Sequence, residues 1–168
     1  MSKRSEALAQ RLERGAWALA AFAGNLTEAQ WKTRVSPSDA RTVGVIVHHV
    51  AWQYELEIQL AGLLAQGKPI TGVKWADVHN VNANHAREYA GATKQDALDL
   101  LKRNSTMAAE FVRKLTDEQL DSAQAVSLNA DAPLTTQFFI EDHALRHAYW
   151  HLEKIREVLG QPAKVAAA

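Results

Sequence analysis

The chain of 168 residues has no cysteine. That excludes a disulfide framework, a thiolate-ligated zinc site and a cysteine nucleophile, so any thiol chemistry would need a thiol supplied from outside. It also fits a reducing compartment, and we expect a cytoplasmic protein. Long apolar runs are missing as well. The N-terminal MSKRSEALAQRLERG is charged and amphipathic, without the apolar segment of a secretion signal, and no stretch is long enough to span a bilayer, so no membrane association is expected. Charge of one sign is not in excess. The 19 basic and 19 acidic residues cancel, which argues against a nucleic-acid partner. There is no HExxH motif with its glutamate base, no glycine-rich phosphate loop and no serine elbow.

What is present is helical periodicity nearly throughout, with the few prolines and glycines falling mostly between periodic segments. Residues 4–23 read as a first helix, with Leu8, Leu12, Leu19 and Phe22 near one face and Gly24-Asn25 ending it. Thr27 opens a short turn through Trp31 in capping-box form, TEAQ. Ser38 or Asp39 is the expected cap of a long helix over 41–66, which stops at Gly67-Lys68-Pro69. A loop containing Trp75 follows, then a polar helix over 77–90, a clear helix over 93–115 and a short one capped by Thr116. Residues 122–134 read as a loop, and the last helix runs from Thr135 or Thr136 to Leu159, with Gly160 and Pro162 beyond. Four long helices, short connecting ones and a longer connection after the second suit an all-α four-helix bundle with a crossover. We expect a single domain over 1–162 and a frayed tail over 163–168.

The chemistry concentrates in histidine. In EDHALRHAYWHLEKIREVLG, His143, His147 and His151 recur every four residues, on one side of a helix. At ~100° per residue the core stripe of that helix holds Ile140, Ala144, Ala148, Ile155, Val158 and Leu159, while Asp142, Arg146, Glu153 and Glu157 mark the wet face. His147 and His151 fall inside the stripe and His143 at its margin. In the second long helix the stripe is Val45, Trp52, Leu56, Leu60 and Leu63; His49 lies in it and His48 to one side. Polar rings in a core stripe need partners. Two readings stay open at this point. The histidines are half-buried and hydrogen-bonded to each other and to water, or a pair at i and i+4 with a third from a facing helix binds a metal and leaves positions open for water and substrate.

TVGVIVHHVAWQYELE, with His49-Val50-Ala51, and DHALRHAYWHLEKIREVLG, with His147, His151, Ile155 and Leu159-Gly160, resemble the second-helix and last-helix motifs of the DinB/YfiT-like metalloenzyme family. The order of elements is similar too, over most of the chain. The resemblance implies a four-helix bundle with a crossover, commonly a homodimer. It also implies a divalent metal (zinc, nickel, iron or manganese) held by His49, His147 and His151. For activity it implies a metal-dependent enzyme that activates a low-molecular-weight thiol or water for S-transfer, isomerisation or hydrolysis of a small electrophilic substrate. The alternative is a non-catalytic metal-binding or stress-related protein on the same bundle.

His143 reads either as a partly exposed polar residue or as a proton relay beside the ligands. Asn80, Asn82, Asn84 and His85 read as a solvated helix or as a wall of the substrate pocket; Asn84 and His85 are the pocket candidates, together with Trp52, whose plainer reading is core. Trp150 points away from the stripe of its own helix, free to pack on a dimer partner or on the short helices. Tyr54, Glu55 and Tyr149 are possible partners for the ligand imidazoles.

Overall fold

A computed structural model describes residues 2–161. The expected tail over 163–168 lies outside the described residues. The elements in chain order are α1 (Lys3–Gly24), α2 (Glu28–Trp31), α3 (Val43–Ala65), α4 (Trp75–Glu88), α5 (Lys94–Arg113), α6 (Asp117–Asp121), β1 (Ala123–Val126), β2 (Ala132–Thr135), α7 (Thr136–Ile140) and α8 (Arg146–Val158). A π-helical turn, Glu141–Leu145, joins α7 to α8, so the three pieces form one long last helix.

Local chemistry explains most of the helix starts. Ser2, Thr42, Thr93 and Thr135 each accept a hydrogen bond from a backbone N–H in the first turn that follows. Thr27 with Gln30 and Thr116 with Gln119 form reciprocal capping boxes. The cap of α3 is therefore Thr42, and not Ser38 or Asp39. Asp39 is instead drawn into an ion pair with Arg41, 2.6 Å between Oδ2 and Nη2. α4 begins at Trp75, which the sequence pattern had left in the preceding loop.

The closely packed helix pairs are α1–α5, α5–α3, α3–α8 and α8–α1, which makes a four-membered ring around a shared core. α1 supplies Leu8, Leu12, Leu19 and Ala23; α5 supplies Ala97, Leu101, Ala108 and Val112. Small residues set two close approaches. The ring of Tyr149 lies where a Cβ on Gly15 would stand, 2.7 Å from its nearest atom, and the indole of Trp31 covers Gly44 at the start of α3. Trp31 is held there by its own Nε1–H, which donates to the Ala92 carbonyl at 3.1 Å.

Two further expectations need correction. Residues 122–134 are not a plain loop: β1 and β2 pair antiparallel, Ala123 opposite Thr135 and Val126 opposite Ala132. The turn runs through Ala130 and Asp131, both at positive φ (54° and 59°). The short AQAV and APLT segments carry no alternation strong enough to announce a hairpin. They are also stabilised from outside, because Ile70 of the α3–α4 crossover bonds to both sides of Val126, 2.9 Å in each direction. The second correction concerns α3. From Val43 to Ala51 every residue is buried, so that half has no wet side. Farther along, burial passes to Tyr54, Ile58, Ala61 and Leu64, while Leu56 is 38% exposed and Trp52, Leu60 and Leu63 are half-buried. The apolar stripe seen in the sequence over Leu56 and Leu60 is the wall of a cavity.

No helix among the described residues is long and apolar enough to cross a membrane.

Candidate functional site

His49 sits in the fully enclosed half of α3, and His147 and His151 one turn apart on α8, which packs against it. One ring nitrogen from each of the three lies within 4.8 Å of the other two, a spacing that could hold a metal ion. The rings of His147 and His151 stand nearly perpendicular to that of His49, with centroids 5.0 and 5.6 Å away. His49 and His151 are buried and His147 half-buried.

Burial is the main influence on their protonation. It pushes His49 down to about 2, with repulsion from His147 and His151 adding to the effect. It pushes His151 down to about 3, again with His147 contributing. Both rings are therefore neutral near neutral pH and keep a lone pair for a ligand. Nδ1 of His49 is buried and has no hydrogen-bond partner, which is costly for an imidazole unless something else engages the ring.

The sequence reading missed Glu57. Its Oε1 accepts from Nδ1–H of His147 at 2.9 Å, in a pair whose side chains are only 12% and 18% exposed. A carboxylate can only accept, so this bond places a proton on Nδ1 of His147 and fixes the ring's orientation. A signal was available: Gln53 and Glu57 follow His49 at four and eight residues, each a step of about 40° round α3. The partners suggested by sequence lie elsewhere. The Tyr54 hydroxyl is buried with no partner, Glu55 meets Gln59, and Tyr149 packs on Gly15.

A cavity of about 530 Å³ opens over the three histidines. Gln53, Glu57, Asn82 and His143 line it as polar groups, and Leu56, Leu60, Ile70, Val126 and Phe139 are among its apolar walls. His143 belongs to the π-helical turn, is half-buried against Phe139 with ring centroids 4.2 Å apart, and its Nε2 is a buried atom without a partner. Burial lowers its pKa. Asp142 and Arg146, expected on the wet face, line the cavity too and pair with each other at 3.0 Å. Trp150 stands beside His151, edge to face at 4.6 Å, and also borders the cavity.

The structure does not bring Trp52, Asn84 or His85 into that lining. Asn84 is exposed and bonds to Arg87. His85 is the one buried residue of α4, its Nε2 2.9 Å from Nδ1 of His48, with Tyr89 stacked on His48 and Trp52 beside His85. These four rings pin α4 to the back of α3. Asn82, one turn earlier than His85, does reach the cavity and accepts from Nε2–H of Gln53 at 3.1 Å.

A four-helix ring with three converging imidazoles at the floor of one cavity defines a class of helical-bundle proteins able to hold a metal. The chain belongs to the DinB superfamily, which its residues 11–155 match. Among solved structures it is similar to YfiT from Bacillus subtilis, described as "a probable metal-dependent hydrolase with an unusual four-helix bundle topology". The TM-score is 0.74 at 20% sequence identity, over 96% of this chain and 89% of that one. At that identity the likeness establishes the fold. No curated protein matches the chain.

Proposed function

We propose that this protein is a metal-dependent enzyme in which His49, His147 and His151 hold a divalent ion, zinc, nickel, iron or manganese. It would act on a small electrophilic substrate with water or a low-molecular-weight thiol as the attacking group. The observation that carries the reading is the convergence of three imidazole nitrogens within 4.8 Å at the floor of a cavity. The donor set fits the group, since imidazole suits zinc, nickel and iron, and a three-histidine set leaves positions open. When bound, the ion would supply Lewis acidity that lowers the pKa of water or thiol.

The chain's own residues do the rest. Glu57 orients His147 through Nδ1–H and offsets positive charge brought to the site. The Gln53–Asn82 amide pair offers a further donor and acceptor to a bound molecule. His143 stands in the cavity with a free Nε2, placed to exchange a proton with a group bound there. With no cysteine in the chain, any sulfur nucleophile must arrive as a co-substrate.

The test is elemental analysis of untagged protein beside a His147→Ala variant. We expect near-stoichiometric metal in the parent and its loss in the variant; a parent that takes up no metal on reconstitution refutes the reading. A screen of electrophiles with and without added thiol then separates transfer and isomerisation from hydrolysis. Metal binding without turnover across that screen would favour a binding protein on the same bundle.

A further inference from the structure

The cavity over the histidines is far larger than an ion and its waters require. At about 530 Å³ it falls in the range of pockets that enclose a whole small molecule. Its apolar side is also unusually open. Leu56, Trp75 and Trp150 are 38%, 55% and 49% exposed, and all three border this one cavity. Exposed large apolar side chains that converge on a single concavity mark a binding surface.

α4 explains why they stay open. Its only buried residue is His85, and its links to α3 are largely polar, His85 to His48 and Asn82 to Gln53. Trp75 and Val78, one turn apart, border the cavity without being buried in the core. On α3, Leu60 stands eleven residues beyond His49, about 16 Å along the axis at 1.5 Å per residue. The apolar wall thus extends well away from the histidines. Gln53 and Glu57, four and eight residues beyond His49, are interleaved with Leu56 and Leu60, and Glu57 reaches across to His147, so the polar contacts stay with the histidines while Ile70, Val73, Val78 and Val126 extend the apolar wall.

We infer that the cavity takes an amphiphilic small molecule, with a polar reacting head at the three histidines and an aliphatic or aryl body lying over Leu56 and Leu60 beneath Trp75. This rests on the reading of His49, His147 and His151 as the reaction centre. The body completes packing that α4 leaves unfinished, and the selectivity for its length resides in α3, α4 and the β1–β2 hairpin rather than in the histidines.

The probe is the series of straight-chain carboxylates from acetate to decanoate, titrated calorimetrically into the full chain, zinc-loaded and as the His147→Ala variant. Affinity should rise roughly fourfold per methylene until the cavity is full. The increment should persist in His147→Ala even though the carboxylate loses its anchor. Leu56→Asn, uncharged and at an exposed position that leaves the core intact, should weaken decanoate about tenfold or more and leave acetate unchanged. A zinc-loaded protein whose affinity is flat along the series overturns the inference while leaving the three-histidine reading in place. A protein that takes up none of zinc, nickel, iron or manganese yet keeps the methylene increment overturns that reading and sustains the cavity assignment. A flat series together with a sedimenting dimer in which Trp75 and Trp150 are protected would assign the surface to a second copy, and the inference falls.

Discussion

Replacing Glu57 separates a residue that positions a metal ligand from one that merely packs. Its Oε1 holds His147 at 2.9 Å, and both side chains are largely buried, so salt and solvent screen the pair little. Loss of such a carboxylate behind a ligating imidazole weakens metal binding by about 10- to 100-fold, or about 1.4–2.7 kcal/mol. Stability should respond differently. Oε2 of Glu57 is buried with no partner, an arrangement that costs of order 1–3 kcal/mol as it stands. Glu57→Gln keeps an acceptor for Nδ1–H and removes a buried negative charge. We therefore expect metal-free Glu57→Gln to unfold within about 1 kcal/mol of the parent while its metal affinity falls about tenfold. Glu57→Ala, which loses the acceptor as well, should approach the hundredfold end. Competition against a chromophoric chelator reads the affinity, and urea unfolding of the metal-free protein reads the stability. Unchanged affinity in Glu57→Gln, combined with a loss of several kcal/mol in unfolding free energy, would refute the assignment and make Glu57 a packing residue.

Acid should destabilise the metal-free protein well before ordinary carboxylates titrate. His49 and His151 are held at about 2 and about 3 in the fold, against ~6.5 when unfolded. The unfolded chain therefore binds more protons in this range. Stability is full above about pH 6.5 and falls as pH drops toward the folded values, by up to about 1.4 kcal/mol per pH unit for each ring. Urea midpoints that stay flat between about pH 7 and pH 5 would contradict neutral, buried rings. Gly44→Ala places a methyl group into the indole of Trp31, which its bond to Ala92 keeps from retreating. Overpacking of about 1–3 kcal/mol should outweigh the helix-propensity gain of up to about 1 kcal/mol, lowering the melting temperature; an unchanged melt would show that Trp31 yields freely.

Much of the fold was legible because helix caps are local chemistry. TEAQ and TDEQ announce their own helix starts, and the capping bonds form where the pattern puts them. The hairpin over 123–135 was not legible, because what stabilises it is distant: Ile70, some fifty residues earlier, completes the ladder at Val126. The π-helical turn was equally hidden. A wheel drawn at constant pitch still places Ala144 and Ala148 inward, as observed, since both are small and tolerate either register. It does not show that Asp142, half-buried, and Arg146, exposed as read, also border the cavity.

The site shows where a hydrophobic pattern stops discriminating. His49, His147 and His151 were picked out because imidazoles in an apolar stripe demand an explanation, and the fold brings their nitrogens together. The same stripe on α3 was read as core along its whole length, yet past Ala51 it serves two surfaces. Tyr54, Ile58 and Ala61 are buried in the bundle, whereas Leu56 and Leu60 face the cavity. Leucine favours leaving water in either place, so periodicity cannot tell a wall from a core. Polar residues interleaved with the stripe can. Gln53 and Glu57, at four and eight residues from His49, would be unsatisfied in a packed core. They make sense only beside groups that need them, and here those groups are Asn82 and His147. A glutamate two turns from a core histidine is thus the stronger sign of a site than the histidine ladder itself, and it names the one helix face on which packing gives way to chemistry.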